Sequence, residues 1–142
     1  MTLAPILYAE DNDNDIELTI EAFKLTKLEN PLIILKNGQE VLDFVNCEGC
    51  YADKKCIKPA LVLMDIKMPK ITGLEALEIL KKKEGFCSIP IVMLTASEME
   101  RDLIKAYQLG ANGFVTKPFD FVEYKKTIEA IVNYWIQYNK TI

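Results

Sequence analysis

The chain contains no histidine, and this absence bears on how its four cysteines are interpreted. Cys47 and Cys50 have the C-x-x-C spacing of many zinc and redox sites, but zinc needs four ligands, and Cys56 and Cys87 are far apart. The pair also follows a helical pattern, whereas a thioredoxin-like pair is typical just after a strand. It enters the polar segment 46–59, which we interpret as an exposed loop, either a partner-contact surface or a plain insertion. We therefore expect free, reduced thiols.

Long apolar runs and clusters of positive charge are also missing. No run approaches the roughly 20 residues that cross a bilayer, and residues 1–5 lack the basic flank and cleavage pattern of a signal peptide. The 17 basic residues are outnumbered by 21 acidic ones, and the short basic run 81–83 lies in a helical stretch. The sequence therefore argues against membrane and nucleic-acid partners and favours a cytoplasmic protein.

What the sequence does contain is five short apolar runs that alternate with helical patterns. The runs cover residues 5–10, 31–36, 60–65, 89–94 and 113–116. They are continuous and mostly aliphatic, as in strands buried on both faces of a parallel sheet. Between them apolar residues recur every three or four positions, which predicts amphipathic helices whose stripes contact the core. One such stripe is Met99, Leu103 and Tyr107.

This alternation predicts the fold class. Consecutive βα units give right-handed crossovers, a parallel sheet and helices on both of its faces. A chain of 142 residues, half of them hydrophobic, suits one domain with its own core. We therefore expect a single α/β domain over residues 1–142, with a doubly wound, five-stranded parallel sheet.

Residues suited to phosphoryl chemistry lie at the predicted strand ends. Glu10 and Asp11 lie at the end of the first predicted strand, and Asp65 is the last residue of the third. Thr95 follows the fourth predicted strand, and Lys117 follows the fifth. The carboxyl ends of parallel strands meet at one edge of a sheet, where doubly wound folds bind ligands. Three carboxylates there repel one another and require a cation, and oxygen ligands suit Mg²⁺, which also binds phosphoryl oxygens. A carboxylate beside such a cation can attack phosphorus, with a hydroxyl and an ammonium in support.

Each of these residues also has a simpler interpretation, as a helix cap, a turn residue or a surface lysine. Their joint placement at successive strand ends favours the phosphoryl site. Two further acids, Asp13 and Asp15, precede a helical pattern, and we interpret them as caps or surface residues.

Four stretches resemble the response-regulator receiver domain of two-component signalling: LYAEDN (7–12), LVLMDIKMPKITG (61–73), IVMLTAS (91–97) and GANGFVTKPF (110–119). The resemblance covers essentially the whole chain and implies the flavodoxin-like strand order 2-1-3-4-5. It also implies a stand-alone receiver domain with no output domain. Such a protein is a phosphoacceptor and not an enzyme in the usual sense, although it catalyses phosphotransfer to, and dephosphorylation of, its own aspartate.

The resemblance also assigns roles by position. The phosphoacceptor is Asp65, and the Mg²⁺ ligands are Asp11, Asp65, the backbone carbonyl of Lys67 and, through water, Glu10. The groups that act on the phosphoryl group and in switching are Thr95, Lys117 and the aromatic Phe114. The resemblance further implies a cis peptide between Lys117 and Pro118.

Its implied partners are a sensor histidine kinase and a downstream protein or phosphotransfer partner. The longer loop before the third strand and the aromatic tail 131–135 resemble the small stand-alone regulators of phytochrome-type kinases. Trp135 and Tyr138 either pack on their own domain or form a homodimer contact through the last helix.

Two other function classes compete with this interpretation. A binding module that uses the fold without phosphorylation would have no need of the complete acidic set with Thr95 and Lys117. A haloacid-dehalogenase-type hydrolase commonly carries a second acid two residues after its aspartyl nucleophile. That position is Lys67, whose charged ammonium is a far weaker acid than a carboxylic acid and cannot do the same work.

Overall fold

The computed structural model describes residues 3–49 and 57–140, in which strands and helices alternate as predicted. The elements are β1 (Ile6–Ala9), α1 (Asp13–Leu25), β2 (Leu32–Leu35), α2 (Gly38–Asn46), β3 (Leu61–Met64), α3 (Gly73–Lys82), β4 (Ile91–Thr95), α4 (Glu100–Gln108), β5 (Gly113–Thr116) and α5 (Phe121–Val132). A π-helical segment, Asn133–Tyr138, continues α5. Across the described ranges, no helix is both long enough and apolar enough to span a membrane.

The five strands form one parallel sheet in the order β2-β1-β3-β4-β5, which confirms the expected topology. The side chains of β1, β3 and β4 are buried throughout, as continuous apolar runs predict for central strands. The register pairs Ala9 with Met64, so Glu10 and Asp65 leave the sheet side by side. On the neighbouring strands β4 and β5, Thr95 pairs with Thr116. Lys117 therefore leaves the sheet directly beyond this pair, at the same carboxyl end as Glu10 and Asp65.

Helices cover both faces of the sheet, and each face has its own apolar core. On one face α1 and α5 pack over Ile6 and Tyr8 of β1, and on the other α2, α3 and α4 pack over Leu7 and Ala9. Successive strand residues point to opposite faces, so an apolar strand supplies both cores at once. We refer to these sides as the α1/α5 face and the α2/α3/α4 face.

The apolar stripe of α4 is an exception to the predicted packing. Met99, Leu103 and Tyr107 are 46%, 38% and 49% exposed, and Ala106 is the buried residue of this helix. The expectation that this stripe is core is therefore wrong. Spacing alone shows that a helix has an apolar face, but the neighbouring elements decide whether that face is covered.

The cysteines depart from expectation at one position. Cys47, in the left-handed turn that ends α2, is disulfide-bonded, so the prediction of free thiols is wrong for this residue. That prediction rested on an expected reducing compartment, whereas a disulfide depends both on the redox conditions and on a fold that brings two cysteines into bonding geometry, which the sequence does not show. Cys87 is an exposed free thiol, as predicted. Cys50 and Cys56 lie outside the described residues, as does half of the 46–59 loop, residues 50–56.

Candidate functional site

Three carboxylates meet at the carboxyl ends of β1 and β3. Oxygen atoms of Glu10, Asp11 and Asp65 all lie within 4.8 Å of one another. Glu10 is 1% exposed and Asp65 is 7% exposed, whereas Asp11 is open to solvent. The structure thus brings together the acids that the sequence placed at neighbouring strand ends, with one side of the cluster accessible from outside.

Lys117 neutralises part of this charge. Its Nζ donates to Glu10 Oε1, to Asp15 Oδ2 at 2.8 Å and to Asp65 Oδ2 at 3.4 Å, and its side chain is 8% exposed. Burial lowers the pKa of Lys117, but the hydrogen bonds to Asp15 and Glu10 and the charge of Asp65 outweigh it. The pKa therefore lies above its ordinary value, and the ammonium stays charged.

Asp15 is a residue of this site that the sequence interpretation missed. It lies in the first turn of α1, where the cap is supplied by Asn12, whose Oδ1 accepts from the backbone N–H of Asp15. Its own carboxylate points to Lys117 instead of into solvent. The signal available in the sequence was its place on the first turn of a helix that begins at the strand edge. Asp13 does lie on the surface, where it pairs with Lys36.

Glu10 is the most buried acid of the cluster. Burial raises the pKa of its carboxyl to about 7, and its hydrogen bond to Lys117 opposes that rise. Both of its oxygens are engaged, because Oε1 accepts from Lys117 and Oε2 accepts from the backbone N–H of Asn12 at 3.2 Å. Such a carboxylate fits the predicted indirect role at a metal better than direct ligation.

The backbone around Asp65 fixes its carboxylate. Oδ1 accepts from the N–H of Ile66 at 2.8 Å, which leaves Oδ2 facing Lys117. The loop then returns so that the N–H of Gly73, at the start of α3, donates to the Ile66 carbonyl at 2.8 Å. A Cβ at Gly73 would lie 1.9 Å from the carbonyl oxygen of Asp65, so this approach requires glycine.

Thr95 and Phe114, the predicted switch pair, share one face of the sheet. Met93 pairs with Phe114 in the register, and Thr95 points the same way as Met93 because strand side chains alternate. Thr95 is 1% exposed, and its Oγ1 accepts from the backbone N–H of Ser97 at 3.3 Å. Phe114 is half-buried against the core of the α2/α3/α4 face. Their roles in switching stay predictions.

Two expectations near the site have different outcomes. The described residues contain no cis peptide, so the expected cis bond between Lys117 and Pro118 is wrong. The trans form of such a bond is favoured by about 0.5–1 kcal/mol, and from it Lys117 reaches the carboxylates of Glu10, Asp15 and Asp65. Lys67 is exposed in the loop after Asp65, and its carbonyl as a metal ligand stays a prediction.

The donor set fits a hard divalent cation. Carboxylate oxygens are the ligands that Mg²⁺ and similar ions prefer, and such ions commonly keep waters of their own. The exposed Asp11 and the nearby Asp65 are the residues placed to hold the ion directly. The cluster has no sulfur or imidazole ligand, so a zinc site of the usual kind does not fit it.

Comparisons with known proteins agree with this geometry. The family "Response regulator receiver domain" matches residues 6–129. The probable methanogenesis regulatory protein FilR2 of Methanothrix harundinacea is 34% identical over 137 residues, which cover 96% of this chain and 86% of that protein. Response regulator Rcp1 of Synechocystis is 33% identical over 132 residues, which cover 93% of this chain and 88% of Rcp1.

Solved structures show the same relationship. The Mn²⁺-bound form of Rcp1 has a TM-score of 0.91 and 31% identity, with 99% of each chain covered. The phosphorylated cyanobacterial phytochrome response regulator RcpA has a TM-score of 0.89 and 27% identity, with 98% of this chain and 99% of RcpA covered. The chain belongs to the response regulator receiver domain family, the phosphoacceptor proteins of two-component signalling.

Proposed function

We propose that Asp65 is the phosphoacceptor, that the phosphoryl donor is a sensor histidine kinase of phytochrome type, and that the reaction uses Mg²⁺. The observation that carries this proposal is the position of Asp65 Oδ2. It lies 3.4 Å from the Lys117 ammonium, beside the oxygens of Glu10 and Asp11. We also propose that residues 1–142 form one receiver domain that acts in the cytoplasm.

Asp65 is suited to act as the nucleophile. It is held at the end of a rigid strand, with Oδ1 fixed by the Ile66 N–H and Oδ2 directed into the crevice. The bond from Oδ2 to phosphorus forms as the bond between phosphorus and the kinase's histidine nitrogen breaks, and the electron pair leaves with the imidazole. A divalent cation, when bound, neutralises charge on the phosphoryl oxygens. Lys117 supplies the second positive charge.

Switching in this proposal follows from the buried hydroxyl of Thr95. It rotates to donate a hydrogen bond to a phosphoryl oxygen, and Phe114 moves into the space vacated on the same face. The exposed apolar stripe of α4 lies next to β5, so this movement changes a surface that a partner can contact. The small Ala96 leaves the phosphoryl group open to water, so the chain also removes its own phosphoryl group over time.

The partners we propose are the kinase and a downstream protein or phosphotransfer partner. Support for a phytochrome-type kinase comes from RcpA, which is a phytochrome response regulator. Trp135 packs against the core of the α1/α5 face, which favours the intramolecular role for this residue. Tyr138 is 72% exposed and stays available for a homodimer through the last helix.

The test is phosphorylation by a small donor. Wild-type protein incubated with acetyl phosphate and Mg²⁺ should gain the mass of one phosphoryl group, read by intact mass spectrometry. Asp65→Asn should gain none, whereas the matched change Asp13→Asn should behave as wild type, because Asp13 pairs with Lys36 on the surface. An unmodified wild type, or an Asp65→Asn variant that still gains the group, contradicts the proposal.

A further inference from the structure

A chain of buried hydroxyl groups runs from two helices to the acidic cluster. The hydroxyl of Tyr8 lies 3.4 Å from Glu10 Oε1 and 3.1 Å from the hydroxyl of Tyr124, which in turn lies 3.1 Å from Thr19 Oγ1. Thr19 is on α1, Tyr8 on β1 and Tyr124 on α5. All four residues are at most 2% exposed. A continuous polar path therefore crosses the core of the α1/α5 face and ends on a carboxylate of the site.

The chemistry of the groups gives this chain a direction. When Glu10 is ionised, as it is beside a bound cation, its carboxylate can only accept, so Tyr8 donates to Glu10. Each hydroxyl has one proton, so Tyr124 must donate to Tyr8, and Thr19 must donate to Tyr124. Hydrogen bonds that all point one way polarise one another and strengthen the last bond, the one to Glu10.

Two facts distinguish this series of hydrogen bonds from the usual case, in which buried hydroxyl groups simply bond to the nearest available partner. It joins residues as far apart in sequence as Tyr8 and Tyr124, and it ends on a carboxylate that the site itself uses. In the proposed function Lys117 supplies positive charge to the phosphoryl group, which draws its ammonium away from Glu10. Tyr8 then remains as the side-chain donor to Glu10, beside the backbone N–H of Asn12.

We propose that Tyr8 and Tyr124 are positioning residues, whose hydroxyl chain holds the Glu10 carboxylate in place for the cation and ties that site to the packing of α1 on α5. This inference rests on the proposed function, because it assigns Glu10 to the cation site. Neither tyrosine touches the cation or the phosphoryl group in this scheme. The two act on Glu10 from the α1/α5 face, opposite to the face that carries Thr95 and Phe114.

The experiment measures Mn²⁺ binding to the unphosphorylated protein by isothermal titration calorimetry. Tyr8→Phe should weaken binding measurably, but by less than the roughly tenfold loss that follows removal of a partner of a direct ligand, because Glu10 acts on the cation through water. Tyr124→Phe should weaken it less, because Tyr8 can still donate to Glu10. The double variant should bind like Tyr8→Phe alone, because without the Tyr8 hydroxyl the chain no longer reaches Glu10. Tyr134→Phe, at an exposed tyrosine of the segment that continues α5, is the control and should match wild type.

Wild-type affinity in folded Tyr8→Phe, or losses that multiply in the double variant, would overturn the inference. Circular dichroism in EDTA establishes that each variant is folded. If the tyrosine variants do not fold, Thr19 provides a second pair. Thr19→Val, which removes the hydroxyl at nearly constant shape, should weaken Mn²⁺ binding, and Thr19→Ser, which keeps it, should not; equal binding by both overturns the inference. A wild type that neither binds Mn²⁺ nor takes a phosphoryl group overturns the proposed function as well.

Discussion

Glu10 should make the stability of the metal-free protein depend on pH. Its folded-state pKa is about 7, above its ordinary value of 4.5, so between these values the folded chain binds more protons than the unfolded chain. The free energy of unfolding therefore falls as pH rises through this range. The full difference between these two pKa values corresponds to about 3 kcal/mol in the free energy of unfolding. Solvent at the open side of the cluster weakens the effect, so we expect a loss of about 2 kcal/mol.

The assay is urea denaturation in EDTA at a series of pH values from 5 to 8. From pH 5 to pH 8 the free energy of unfolding of wild type should fall by about 2 kcal/mol more than that of Glu10→Gln. This comparison does not depend on whether the two proteins are equally stable at pH 5. Glu84→Gln, at an exposed glutamate, should keep the wild-type slope. Saturating Mg²⁺ should flatten the wild-type curve, because a cation beside Glu10 favours its ionised form. Equal slopes for wild type and Glu10→Gln would refute the reasoning.

Two further predictions concern residues around the cluster. Lys117→Met removes a buried ammonium from three carboxylates and should reduce the free energy of unfolding at pH 8 by about 3–5 kcal/mol, whereas Lys36→Met, at an exposed pair, should change it within experimental error. Gly73→Ala should abolish phosphorylation by acetyl phosphate and lower the melting temperature, because the new Cβ meets the Asp65 carbonyl at 1.9 Å. Gly113→Ala is the control, because its new Cβ meets the side chain of Val92 at an ordinary 3.4 Å, and it should retain phosphorylation. Equal stability of the two lysine variants, or equal phosphorylation of the two glycine variants, would contradict the geometry.

The sequence by itself determined the fold class and most of the acidic cluster. Strand and helix periods are local properties, and the alternation of buried runs with amphipathic stretches leaves few topologies open. Once the strands are parallel, their carboxyl ends share one edge, so Glu10, Asp65 and Lys117 had to come near one another.

The tertiary structure alone decided which side chains contact each other across elements. The bonds from Lys117 to Asp15 and from Tyr8 to Tyr124 join residues about a hundred positions apart, and they depend on how α1 and α5 lie on the sheet. A tyrosine at a core position is read from sequence as an apolar residue, because the partner of its hydroxyl is set by packing. The same limit applies to α4, whose apolar spacing cannot show whether a neighbour covers it. Local sequence thus places the reactive groups, and the packing of helices on the sheet determines which of them pair.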